Sequence, residues 1–185
     1  MAEYYLISQL PSLDGIGDTM PLPITEERFE ELCGRFLSKK AQKELAALTL
    51  IPPTEPQPSS SPLIKAWNEG ERDLRLALAK ARADKMKKPF PHDIRRLSPE
   101  QLKAAGEAAE SENPMEAEKY LHRYRLAFLE TLRPMDSFSE DAVYYYGLKL
   151  KLIARIRRFD TELGEAAYKN IYTSIMNGEE LEAKE

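Results

Sequence analysis

The sequence predicts an all-α fold: an antiparallel assembly of five to six helices with a short extended N-terminal arm. Three observations predict it. Apolar residues recur at i, i+3, i+4 and i+7 in successive segments, which is the spacing of a half-buried helix. Most of these segments open on Ser, Thr or Asn followed by Pro or Glu, residues that suit a first helical turn. Only "YYLISQL" at 4–10 has the aromatic and β-branched content of a strand, and no good partner for it is evident, so it reads as an arm or a frayed helix start.

The elements follow in order. "PSLDGIGDTMPLP" reads as loop. Thr25 caps the first clear helix, with Glu26 and Glu27 in its first turn and Ile24 and Phe29 placed as a hydrophobic staple. Phe29, Leu32, Cys33, Phe36 and Leu37 form its apolar face, which makes Cys33 a buried structural thiol. Ser38 caps a short helix through Leu48. Residues 51–62, "IPPTEPQPSSSP", hold five prolines and three serines and cannot be helical. They are expected to link an N-terminal helical lobe, 1–50, to a main lobe, 63–185, that ends in a frayed acidic tail. Leu63 to about Lys88 is one long helix with Trp67, Gly70, Leu74, Ala77, Leu78 and Ala81 in its apolar stripe. "SPEQ" at 98–101 is a capping-box start, and Asn113, Pro114 and Glu116 promise another. The helix after Asn113 places Leu126 and Leu129 off its main apolar face, so it buries two faces or shows one to a partner. Ser137 or Ser139 caps the run to Arg158. The last helix uses Tyr168, Ile171, Tyr172, Ile175 and Met176 and is expected to stop at Asn177–Gly178.

Charge and composition exclude several function classes. Residues 1–62 and 98–185 are acidic, net −4 and −5, and flank a basic block at 63–97, net +5. A pI near 5.5, with Trp67 and Phe90 as the block's only aromatics, argues against nucleic-acid binding. No apolar run reaches the ~20 residues of a membrane span, and the N-terminus lacks a basic signal-peptide region, so a cytoplasmic address is expected. The two histidines, His92 and His122, have no metal-ligand spacing around them beyond Glu118, and no phosphate loop or nucleophile elbow is present. The chain reads as a non-enzyme needing no cofactor and no metal.

The segment "FSEDAVYYYGLKLKLIARIRRFD", 138–160, is the candidate partner interface. Wound at ~100° per residue, Tyr144, Lys151, Arg155 and Arg158 share an arc of roughly 60°, and apolar residues cover most of the rest. Lys149 falls inside the apolar arc. It either snorkels or finds a carboxylate such as Glu116, Glu118 or Glu130, or its face meets another subunit. The interface set is therefore Lys149, Lys151, Arg155, Arg158 and Tyr144, with Leu126 and Leu129 of the preceding helix.

Three stretches carry a family resemblance: "YYLISQLPSL", "ERDLRLALAKARADKMKK", and "NPMEAEKYLHRYRLAFLETL" followed by the tyrosine–lysine run. Their order resembles a bacterial family encoded with V/A-type ATPase subunits and similar to the C-type subunit (d in the eukaryotic enzyme). The resemblance implies a helical, non-catalytic connector in ATP-driven ion transport. Its partners would be the central shaft and the membrane rotor ring, and it would reach the inner membrane only through them. C-type subunits have three helical lobes, and this chain has room for two. The alternative is a helical adaptor or regulator with another protein partner.

Overall fold

A computed structural model describes the backbone of residues 2–16, 20–159 and 161–182, and the side chains of 3–16, 20–159 and 164–175. Among the described residues, all regular structure is helical. The helices are α1 (Ala2–Gln9), α2 (Glu26–Phe36), α3 (Lys39–Ala46), α4 (Pro62–Lys85), α5 (Pro99–Glu110), α6 (Pro114–Thr131), α7 (Glu140–Arg157) and α8 (Thr161–Glu182).

Local chemistry accounts for most of the boundaries. Thr25, Ser38, Ser61 and Ser139 each accept a hydrogen bond from the third backbone N–H beyond them. Ser98 and Gln101 close both halves of a capping box. Asn113 accepts from Met115, but the expected box does not close there: the Glu116 carboxylate turns to Lys119 at 3.3 Å instead. α4 ends three residues before Lys88. Lys87 takes a left-handed φ of 53°, and the Lys88 N–H returns to the Ala83 carbonyl at 2.9 Å, which closes the helix end.

Three expectations need correction. Among the described residues the count is eight helices rather than five to six, and residues 4–9 are not extended but belong to α1. Leu6 is fully buried, and Ile7 and Leu10 pack on the same core, so one side of a helix does the burying while Tyr4 and Tyr5 face outward. A helix satisfies its own N–H groups, whereas an isolated strand would leave them without a ladder. α8 also runs through Asn177 and Gly178 to Glu182. A helical glycine costs only about 1 kcal/mol, and the Glu–Glu–Leu–Glu that follows includes good helix formers.

α7 lies at the centre of the larger core. Val143, Tyr144, Leu148, Leu150 and Leu152 are all at most 2% exposed. Around them pack Leu6 of α1, Phe29 and Cys33 of α2, Ala41 of α3, Trp67 of α4 and Leu129 of α6. Apolar residues on both sides of the Pro/Ser segment, Leu45 and Leu48 before it and Leu63, Ile64 and Trp67 after it, share this core. The segment is also tied down, since Glu44 receives hydrogen bonds from Ser59 and Ser60 at 2.7–3.0 Å. A second core joins α4, α5 and α6 through Leu74, Ala77, Ala104, Ala105 and Leu121.

The two cores meet along α4 and α6. Trp67 and Leu129 belong to the larger core, Leu74 and Leu121 to the smaller. Between them Arg125 donates a bidentate pair of hydrogen bonds to Glu71, both at 2.9 Å, with side chains 8% and 3% exposed. One turn away the Phe128 ring lies on Gly70, so close that an added Cβ would overlap it, and stacks on Trp67 at 6.1 Å.

Candidate partner interface

The basic residues of α7 are engaged within the chain. Lys149 donates to Asp14 at 2.6 Å and to Glu130 at 2.7 Å, and its ammonium lies 5.8 Å from the Tyr145 ring centroid. Glu130 is one of the carboxylates proposed for it. Asp14 comes from the loop after α1, 135 residues away in sequence. Burial alone would lower the Lys149 pKa, but the two carboxylate hydrogen bonds outweigh it and raise it. In return Asp14 is held below its ordinary range by the Lys149 hydrogen bond. Burial pushes Glu130 up, and its bonds with Lys149 and Tyr145 more than offset that.

The rest of the stripe is paired too. Lys151 meets Glu26 at 3.2 Å and Glu30 at 3.8 Å. Arg155 meets Glu118 at 2.9 Å, so Glu118 is engaged with α7. Arg158 is open to solvent and only loosely near Glu26, at 3.8 Å. Tyr144 is a core residue whose hydroxyl faces the Ala41 carbonyl at 3.4 Å, and burial pushes its pKa up. Leu129 is buried, and Leu126 is half-buried against the same core. The structure thus brings the predicted set together along α7 and α6 but uses it to hold α7 to α2, α6 and the α1–α2 loop. Of that set, Arg158 is the one most open to solvent.

Two apolar surfaces, by contrast, are open. The first joins Tyr4 and Tyr5 of α1 to Met135 and Phe138 of the α6–α7 loop, each about half-exposed or more. The Tyr4 and Phe138 rings lie 4.9 Å apart. A cleft of 210 Å³ lies between these same two elements, lined by Ile7, Leu10, Pro11, Pro134, Tyr145 and Tyr146 among others. The second surface is the face of α8. Tyr168, Ile171, Tyr172 and Ile175 follow i, i+3, i+4, i+7 and are 54–68% exposed. Among the described residues, α8 is not one of the helices that make the larger interhelical contacts. The sequence marked these four residues as an apolar face together with Met176, whose side chain lies outside the described residues, and the structure leaves the four uncovered.

Sequence reasoning missed the Glu71–Arg125 pair, although a signal for it exists. Position 71 lies four after Trp67 and three before Leu74, and position 125 lies four from both Leu121 and Leu129. A charge on each of two apolar stripes is what a buried pair requires. Cys33 is buried as expected, and burial pushes its thiol up to about 12. Among the described residues no three His, Cys, Asp or Glu stand together as metal ligands, and no helix is long and apolar enough to cross a membrane.

No family profile, curated protein or solved structure matches the chain.

Proposed function

We propose that the chain is a non-catalytic connector subunit of a bacterial V/A-type ATPase, similar to the C-type (eukaryotic d) subunit, in which an antiparallel helical body joins the central shaft to the membrane rotor ring. The observation that carries the reading is the pair of uncovered apolar surfaces flanking α7 in the chain. The Tyr4–Phe138 patch adjoins its start, and α8 follows its end. Eighteen residues put roughly 27 Å between those ends. A part that passes force needs a stiff body between its contacts. Ion pairs from Asp14, Glu26, Glu118 and Glu130 onto α7, with the Glu71–Arg125 clamp, support such a body. In this reading the chain is cytoplasmic and meets the inner membrane only through the ring.

The alternative is an adaptor for another protein. The four anchors on α8 favour it, because a helix with that spacing fits the hydrophobic groove of many partners. The experiment is affinity purification of the tagged chain from cells that make the ATPase. The connector reading expects shaft or ring subunits in stoichiometric yield, lost in the Tyr4→Ala/Phe138→Ala variant. Recovery of the tagged chain free of ATPase subunits, beside an intact ATPase, rejects it.

A further inference from the structure

We infer that the chain docks directly on an anionic lipid surface through the basic end of α4, the stripe of Arg75, Arg82 and Met86 with the turn at Lys87 and Lys88. In the connector reading this contact adds to the one made through the ring, and it does not depend on that reading.

The end of α4 holds cations that have no partner. At ~100° per residue, Arg72, Arg75, Ala79, Arg82 and Met86 fall within an arc of roughly 80°. Arg72 is half-buried and the other four are exposed. The left-handed turn at Lys87 carries Lys87, Lys88 and Pro89, all exposed, past the helix end. Residues 63–97 hold five acids, and four of them are taken: Glu71 by Arg125, Asp73 by Arg96, Asp84 by Lys80 and Asp93 by Arg95. The fifth, Glu69, stands three residues before Arg72, toward the other end of the helix. Glu110 of α5 shares a groove with Ala81, which lies roughly 140° around α4 from the middle of the stripe. Among the described residues Arg75, Arg82, Lys87 and Lys88 therefore form no ion pair, whereas Lys149, Lys151 and Arg155 of α7 are all engaged within the chain.

The imbalance is large. Residues 72–96 carry nine basic and three acidic side chains, net +6, and the rest of the chain is net −10. An anionic plane attracts this end and repels the remainder, which orients the approach. The end also stands clear of the larger core, which takes Leu63, Ile64 and Trp67 from the start of α4.

Three kinds of anionic partner answer such a charge, and the neighbouring side chains choose between them. A protein gains little from exposed ion pairs, because each holds two long side chains in one geometry, and its interface needs a buried apolar centre. A single strand of nucleic acid uses stacking aromatics, but Phe90 is half-buried and turned edge-on to His92 at 5.2 Å. A bilayer uses what is present. The field of an anionic leaflet acts on every cation without fixing its geometry, about fivefold in affinity per Lys or Arg, so four multiply to roughly 600-fold. Met86 is 58% exposed, and Pro89 and Pro91 are exposed beside the lysines. Such side chains enter the headgroup layer while the longer cations stay at its surface.

The test is co-sedimentation of the full chain with vesicles of phosphatidylcholine, alone or with ~30% phosphatidylglycerol. Binding is expected to the anionic vesicles only, with release at ~0.5 M salt. Arg82→Gln/Lys88→Gln is expected to weaken it about 30-fold with the circular dichroism spectrum unchanged. Lys40→Gln/Lys43→Gln makes the same change of charge at exposed positions of α3 and is expected to leave binding as it was. Met86→Trp is expected to shift its emission to the blue on anionic vesicles, against the steady signal of the fully buried Trp67. Absence of binding to anionic vesicles at low salt overturns the inference and would leave an acidic protein as the partner. Equal weakening by the α3 variant, or an unshifted Met86→Trp emission, also overturns it. Duplex DNA bound as tightly as the vesicles overturns it too, and would mark a nucleic-acid face. None of these outcomes bears on the ATPase co-purification.

Discussion

Alanine at Gly70 tests the packing between the two cores. In an exposed helix the change stabilises by about 1 kcal/mol, because alanine loses less backbone entropy than glycine. At Gly70 the new Cβ would overlap the far end of the Phe128 ring, which is held in place by its stack on Trp67 at 6.1 Å. Overpacking of this kind costs roughly 1–3 kcal/mol. The two effects sum to a net loss of about 1 kcal/mol, or a melting point lower by roughly 2–4 °C at this chain length. Gly106→Ala, with open space at its Cβ, supplies the control and is expected to stabilise by about 1 kcal/mol. Phe128→Leu removes the obstructing atoms, so Gly70→Ala in that background is expected to stabilise. Urea unfolding of the four-member cycle reads the coupling directly, at about 2 kcal/mol. Stabilisation by Gly70→Ala in the otherwise wild-type chain would refute the account of α4 and α6.

The remaining predictions concern charge and burial. Arg125→Met leaves Glu71 buried without its partner and is expected to cost about 3–5 kcal/mol in chemical denaturation; Glu71→Leu added to it should recover most of the loss. The Lys149 cluster gives a pH signature. Asp14 and Glu130 are depressed below 3.8 and 4.5, so their contribution is present above those values and lost as pH falls through the lower folded pKa values. Lys149 is raised above 10.5, so its contribution is present below that value and lost as pH rises through its folded pKa. Lys149→Met should flatten both limbs of a stability–pH curve and cost about 1 kcal/mol at pH 7, since both carboxylates are exposed enough to rehydrate. Unchanged limbs would show that the cluster does not couple to folding. Cys33, pushed up to about 12, is expected to resist a thiol reagent at pH 8 until the chain is unfolded; fast labelling of the native chain would contradict its burial.

Most helices were legible because their signals are local. A cap and its N–H lie three residues apart, and an apolar stripe repeats within two turns. α1 was misread because its tyrosines favour an extended chain, and what makes it a helix is the pocket for Leu6 between α2 and α7. The candidate interface was legible as one face of α7 but not as a set of internal ion pairs. Whether Lys151 and Arg155 meet solvent or carboxylate depends on where α2 and α6 lie, and no spacing within α7 encodes that.

The sequence by itself determined an all-helical chain, most of its helix starts, a central α7 and a lysine out of place within it. Tertiary structure decided that Lys149 reaches Asp14 from 135 residues away, that Gly70 must lack a side chain beneath Phe128, and that the apolar face of α8 stays open. The physical reason is range. Most helix starts are set by caps and backbone N–H groups within four residues. The faces that meet, and the one left uncovered, are settled by how the whole chain shares a limited apolar surface between two cores.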